Sequence, residues 1–244
     1  MDASALNPCA HWCQAIRCHP GLEREVNEDA YLARPDLGVW AVADGMGGHQ
    51  RGDWASRTIV ETLDHLTPAQ AGPDGVERAL RQAHARILAQ GQAHDQTIGS
   101  TVVVLVTEPQ AATLFWVGDS RLYRWRHGRL ERLSKDHSMV QEWIDRGMVR
   151  PEEAEGLPGA NVITRAVGIG EGLELDRLRL AVEPGDHFLL CSDGLTKELD
   201  EAEIATLLHP DTPLEESADR LLQRVLEQGA HDNITFILLR CCQP

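Results

Sequence analysis

Several features that would assign this sequence elsewhere are missing from it. No stretch approaches the roughly 20 apolar residues of a membrane-spanning helix. The N-terminus, MDASALNPCAHW, has no basic start and no apolar core, so it does not read as a signal peptide. Low-complexity tracts, longer repeats and Gly/Ser linkers are absent. Positive charge is short: Lys plus Arg is 23 against 38 for Asp plus Glu, a net charge of −15. Such a surface repels a polyanion, which argues against a nucleic-acid partner and against a two-metal phosphodiesterase or nuclease. It still admits an anionic substrate where bound cations reverse the field locally. The expectation is a cytoplasmic protein with no membrane and no nucleic-acid partner.

Cysteine spacing excludes another class. Of the six cysteines, Cys9, Cys13 and Cys18 stand near the start beside His19, and Cys241 and Cys242 at the end. None forms a C-x-x-C pair, so a zinc site is not expected. The six are expected to be free thiols, packed as small apolar residues.

The chain does have ordinary globular composition. Its 244 residues are 42% hydrophobic and 25% charged, enough for a sizeable core and too apolar for disorder. Short strands are expected over 12–18, 31–33 and 39–43. Residues 52–66 carry Trp54, Ala55, Ile59, Leu63 and Leu66 at helical spacing, and a second helix is expected over 74–90, closed by Gly91. TVVVLVTE and ATLFWVGD read as β-branched strands, and RLYRWRHGRLERL as a hairpin turning at His127-Gly128. A helix over 137–147, with Asp136-His137 as its cap, precedes the polar run PEEAEGLPG. Strands over 173–182 and 186–192, helices over 200–208 and 213–228, and a last strand NITFILLRC follow. Antiparallel strands in runs with helices in pairs predict an α+β protein: two packed sheets with helix pairs outside, a four-layer α-β-β-α sandwich.

Acids adjoin the apolar runs. VWAVADGMGGH (39–49) and FLLCSDGLT (188–196) each break from a run into Asp-Gly; LFWVGDSR places Asp119 just past one, and AHDNITFILL places Asp232 just before one. Asp-Gly is also a hairpin signal. Here, however, the chain after Asp44 and after Asp193 leads toward a helix rather than a pairing strand. Carboxylates that converge repel one another and need cations. Hard oxygen ligands without a Cys or His cluster select Mg²⁺ or Mn²⁺, and two such ions suit displacement at phosphorus.

These motifs, in this order, resemble the bacterial metal-dependent serine/threonine phosphatases of the type 2C (PPM) family. The resemblance runs over about 12–240: RCHPGLEREVNEDA, AVADGMGGH, GSTVVVLV, WVGDSRLY, SKDHS, NVITRAVG, CSDGLT and HDNIT. It implies a single domain over 1–244 and two bound Mn²⁺ or Mg²⁺ ions, with a third, weaker one. Asp44 would bridge the two, the Gly45 carbonyl would bind one, and Asp193 and Asp232 would complete the other's shell. Asp119 matches the acid that helps hold the third. Glu28 and Asp29 match acids that hold metal-bound water, Arg24 the arginine that grips the phosphate, and Asn233 a support for the Asp232 loop. Eukaryotic members carry a histidine two places after the bridging aspartate; here that place is Met46, leaving His49 as the nearest general acid, with metal-bound water as its rival.

The resemblance further implies a monomer that acts on phosphorylated proteins and opposes a Ser/Thr kinase, with a link to type VI secretion. A variable flap, 137–160, would choose substrates through Trp143, Met148 and the PEEAEG run. The alternative is a catalytically inactive phosphatase fold that binds a kinase or phosphoprotein; the intact set of four aspartates argues against it.

Overall fold

The structure, a computed structural model, describes residues 11–47, 51–154, 157–159, 162–209 and 211–242, with the His11 side chain excepted. Its strands form two antiparallel sheets. The first sheet contains β1 (His11–His19), β7 (Arg121–Arg126), β8 (Arg129–Arg132), β10 (His187–Cys191) and β11 (Ile234–Cys242), in the order β1-β11-β10-β7-β8. The second contains β2 (Asp29–Arg34), β3 (Val39–Gly47), β5 (Val102–Glu108), β6 (Ala111–Val117) and β9 (Asp176–Ala181), in the order β2-β3-β5-β6-β9, and β4 (Ile98–Ser100) pairs with the end of β3. Helices α1 (Gly52–Asp64) and α2 (Pro73–His94) cover the second sheet; α4 (Asp193–Thr196), α5 (Glu201–Leu207) and α6 (Leu214–Gln228) cover the first. Helix α3 (Met139–Asp145) lies in the flap.

The predicted four-layer α-β-β-α sandwich is observed, and its three interfaces follow from two periodicities. Along β3, Val39, Ala41 and Ala43 face Ala55, Ile59 and Leu63 of α1, while Trp40 and Val42 face Phe188, Leu190 and Ile237 of the opposite sheet. Successive strand side chains point to opposite faces, so a strand buried on both sides reads as a continuous apolar run. On the far side, Leu214, Ala218, Leu221 and Val225 recur at helical spacing along α6 and pack on Leu189, Phe236 and Leu238. Each fully buried Leu, Ile, Val or Phe contributes about 1.5–3 kcal/mol. Trp54 and Leu66, expected on the apolar stripe of α1, are only partly buried at its margin.

Four expectations need correction. First, α2 does not stop at Gly91; it continues to His94 and ends at Asp95, which takes the left-handed conformation and donates its N–H back to Gln92 O and Gly91 O. Second, Asp44-Gly45 does not end its strand. β3 runs on to Gly47, with Gly45 opposite Ser100 of β4, so its partner strand breaks at Thr101 instead. Third, Asp136-His137 does not cap α3; Ser138 does, its Oγ accepting from the Gln141 N–H. Fourth, the cysteines are not all free. Cys13 and Cys242 form a disulfide, whereas Cys18 and Cys191 are free thiols. In the β1–β11 register Cys13 faces Arg240 and Cys242 faces His11, which makes the two cysteines diagonal neighbours on one face. Their separation of 229 residues hid the pair from any spacing rule. No helix among the described residues is long and apolar enough to cross a membrane.

Candidate active site

The strand register gathers the acids at one end of the sandwich. Asp29 opens β2 directly opposite Asp44 of β3. In the other sheet Cys191, at the end of β10, pairs with Arg121 at the start of β7 and with Phe236 near the start of β11, which brings Asp193, Asp119 and Asp232 to the same end. Two hydroxyl links join the layers. Ser192 Oγ donates to Asp29 Oδ2 at 2.8 Å, and Thr101 Oγ1 lies 2.6 Å from Ser120 Oγ. Thr101 N–H also donates to the Asp44 carbonyl at 2.8 Å, which ties Asp44 to the residue after Asp119.

Asn233 holds the loops together. Its Oδ1 accepts from Glu28 N–H at 2.8 Å, and its Nδ2 donates to Pro20 O and Val26 O at 2.8 and 3.0 Å. Two glycines allow the close approaches this needs. A Cβ on Gly194 would collide with the Asn233 carbonyl oxygen, and one on Gly45 with the carbonyl of Gly52 at the start of α1. Gly45 N–H donates to Glu28 O at 3.1 Å, and Ser56 Oγ to the same oxygen at 2.6 Å.

The acids perturb one another. Burial, then Asp29, Asp193, Asp119 and Asp232 push Asp44 well above the ordinary carboxylate range. Burial raises Asp29 to about 7, against hydrogen bonds from Ser192 and Thr235, and raises Asp119 to about 7 with help from Asp193 and Asp136. Burial also raises Glu28, against a hydrogen bond from the Gly52 N–H. Asp232 goes the other way: burial would raise it, but Lys197, the Asn233 N–H and Arg24 together lower it. Asp29 Oδ1 and Asp193 Oδ1 are buried without a hydrogen-bond partner. Carboxylate oxygens left unpaired in a crowd of acids fit a hard cation. As placed, though, no three His, Cys, Asp or Glu side chains among the described residues close on one point tightly enough to share an ion.

A cleft of about 850 Å³ opens here, lined by Arg24, Asp119, Asp193, Lys197 and Asp232 among others. Asp44, Glu28 and Asp29 stand outside its lining, although Asp44 remains in electrostatic reach of Asp193, Asp119 and Asp232. Arg24 Nε sits 2.9 Å from Asp232 Oδ1. His49 lies outside the described residues. On the flap side, Val140 and Ile144 line the cleft; Trp143 and Met148 do not, and Met148 is 67% exposed.

Three participants escaped the sequence reading. Arg121 grips Asp136 through Nε and Nη2 beside Asp119. Ser192 stood only as the last residue of the strand expected over 186–192, with no role of its own. Lys197 reaches both Asp193 and Asp232, and the four-residue step from Asp193 on a helical turn was its available signal.

A family model described as Protein phosphatase 2C matches residues 23–238. The chain belongs to the protein phosphatase 2C family. Among the family's solved structures, PppA, described as a key regulatory component of T6SS in Pseudomonas aeruginosa, is 42% identical with a TM-score of 0.86 over 94% of this chain and 97% of that one. A PstP catalytic domain described in complex with 2 manganese ions is 32% identical, with a TM-score of 0.85 over 95% and 99%. The serine/threonine protein phosphatase PstP of Mycobacterium tuberculosis is 35% identical over 230 residues, 92% of this chain but 44% of that protein, so the chain spans under half of that relative's length. Over nearly its whole length, then, this protein phosphatase 2C member shares its fold with those solved structures.

Proposed function

We propose that this protein phosphatase 2C member is a divalent-metal-dependent phosphatase that hydrolyses phosphoserine and phosphothreonine in proteins. The observation that carries the reading is the junction of the sheets: Ser192 Oγ fastens Asp29, opposite Asp44, to the turn that bears Asp193. Asp44, the Gly45 carbonyl, Asp193 and Asp232 are the proposed ligands of two Mn²⁺ or Mg²⁺ ions, with Asp119 serving a weaker third. Glu28 and Asp29 support them from behind, and Asn233 sets the Asp232 loop. When bound, the ions supply Lewis acidity that lowers the pKa of a water and offsets charge on the phosphoryl oxygens. Arg24, held beside Asp232, presents a planar fork of donors to those oxygens. Met46 carries no transferable proton, so the leaving alkoxide takes its proton from water or from His49. Val140 and Ile144 on the flap offer apolar contact to the residues flanking the phosphate.

The test is release of phosphate from phosphothreonine peptides by the purified protein, with Mn²⁺ and then with excess chelator. Turnover that ignores the chelator, or is absent in both, would defeat the reading. An inactive binding module would not need the full set of acids. The finer proposal is a cytoplasmic monomer that opposes a Ser/Thr kinase, and the likeness to PppA supports its link to type VI secretion. Phosphoproteomics of a deletion strain tests it: phosphothreonine and phosphoserine should accumulate on the kinase and its substrates.

A further inference from the structure

The chain contains two lysines, Lys135 and Lys197; all its other basic charges are arginines. Lys135 pairs at the surface with Asp145 at 2.7 Å. Lys197 follows the single turn of α4 and folds back over it, placing Nζ 2.6 Å from Asp193 Oδ2 and 2.9 Å from Asp232 Oδ2. The two residues spanned by this ammonium are the proposed ligands of one metal ion. We infer that Lys197 is a tethered counter-ion, which occupies the cation locus between Asp193 and Asp232 in the metal-free protein and leaves it when a divalent ion enters. This rests on the metal-site reading above.

Residue chemistry supports exchange over a permanent bridge. An ammonium is a compact charge on a flexible stem, while a guanidinium is a rigid planar fork. Arg24 already holds the other oxygen of Asp232, and the Lys197 side chain is 36% exposed, so the stem has a route to solvent. The ammonium is also an incomplete partner. It satisfies Asp193 Oδ2 and leaves Asp193 Oδ1 buried with no donor. Mn²⁺ or Mg²⁺ binds carboxylate oxygens at about 2.0–2.2 Å, so an ion on these two oxygens would compete with the ammonium for the same lone pairs, a double charge against a single one. In the metal-free protein the ammonium thus offsets part of the charge on these two acids, at the expense of metal affinity on the Asp193/Asp232 side.

The experiment uses the full chain, stripped of metal by chelation and dialysis. A brief pulse of an amine-acetylating reagent is followed by peptide mass spectrometry, with Lys135 as internal reference. Saturating Mn²⁺ should raise acetylation of Lys197 at least threefold relative to Lys135. Unchanged or reduced labelling, with Mn²⁺ binding measured calorimetrically in the same sample, overturns this inference alone. Absence of Mn²⁺ binding overturns the metal reading together with it. In parallel, Lys197→Met should bind Mn²⁺ on the order of tenfold more tightly, the change expected when one net charge-assisted hydrogen bond no longer has to be broken. Equal or weaker binding by a folded Lys197→Met protein counts against the proposal, and the labelling arm decides it should that variant fail to fold.

Discussion

Ser192 and Asp29 are 163 residues apart in sequence, yet the serine hydroxyl donates to Asp29 Oδ2 at 2.8 Å and the same oxygen of the serine accepts from the Thr235 N–H at 3.0 Å. One side chain therefore stitches β2 of one sheet to β11 of the other, at the level where the acids gather. Both of these hydrogen bonds are buried.

Replacing it with alanine should cost on the order of 1–3 kcal/mol, because a buried carboxylate oxygen loses its donor and a buried N–H its acceptor. The lowered midpoint should be visible in urea unfolding of the metal-free protein. A Ser192→Ala midpoint equal to wild type would mean the link carries no energy.

Asp44→Asn and Asp193→Asn address the chemistry directly. Each keeps the side-chain shape and removes a negative charge from the proposed ligand set. Turnover of p-nitrophenyl phosphate in Mn²⁺ buffer should fall on the order of 100-fold or more, with an unchanged circular dichroism spectrum. Near-normal hydrolysis by both variants would contradict the assignment.

Asn233→Ala should be a stability variant more than a chemical one. It removes the acceptor for Glu28 N–H and the donor to Pro20 O and Val26 O. The loss should be on the order of 2–4 kcal/mol, since several partly buried backbone groups are orphaned at once. Thermal unfolding reads it, and Asn233→Asp, which keeps the acceptor but loses the donor, should be intermediate or worse because it adds another charge.

Stability of the metal-free protein should rise as pH falls. Asp29 and Asp119 move from an ordinary 3.8 to about 7 in the folded state, and Asp44 shifts in the same direction. A carboxyl with a raised folded pKa contributes stability that is fully present below its unfolded value and is lost as pH climbs through the folded one. The window is therefore about pH 4 to 7. Asp232, lowered, acts in the opposite sense only as pH falls below 3.8, whereas the buried His84, His137 and His187, lowered from 6.5, offset part of the gain from the acids below about pH 6.5. Melting of chelator-treated protein should occur about 2–4 °C or more higher near pH 5.5 than near pH 8, a shift corresponding to roughly 1 kcal/mol for a chain of this size. Mn²⁺ should raise the melting temperature most at the alkaline end, where the acids are ionised. A melting temperature flat across this range, with or without metal, would show that these carboxyls do not share one field.

The layers were legible because they depend on short-range pattern. Alternation in β3 and the helical spacing of α6 each state which side must be buried, and burial of apolar surface dominates folding. The acids at Asp44, Asp119, Asp193 and Asp232 were legible as a motif because each adjoins an apolar run. Where helices end was read less well: Gly91 looked like a stop, but the helix passes through it for one more, exposed turn and closes at Asp95, whose N–H returns to Gln92 O and Gly91 O.

By itself the sequence determined the two-sheet sandwich, the order of its elements and the set of acids near its strand ends, since all of these are written in local periodicity and residue type. Only the tertiary structure decided which groups meet: that Ser192 holds Asp29, that Lys197 spans Asp193 and Asp232, and that Cys13 bonds to Cys242. The physical reason is that register and side-chain direction follow from the packing of whole layers, and contacts between residues far apart in the chain leave no spacing to read.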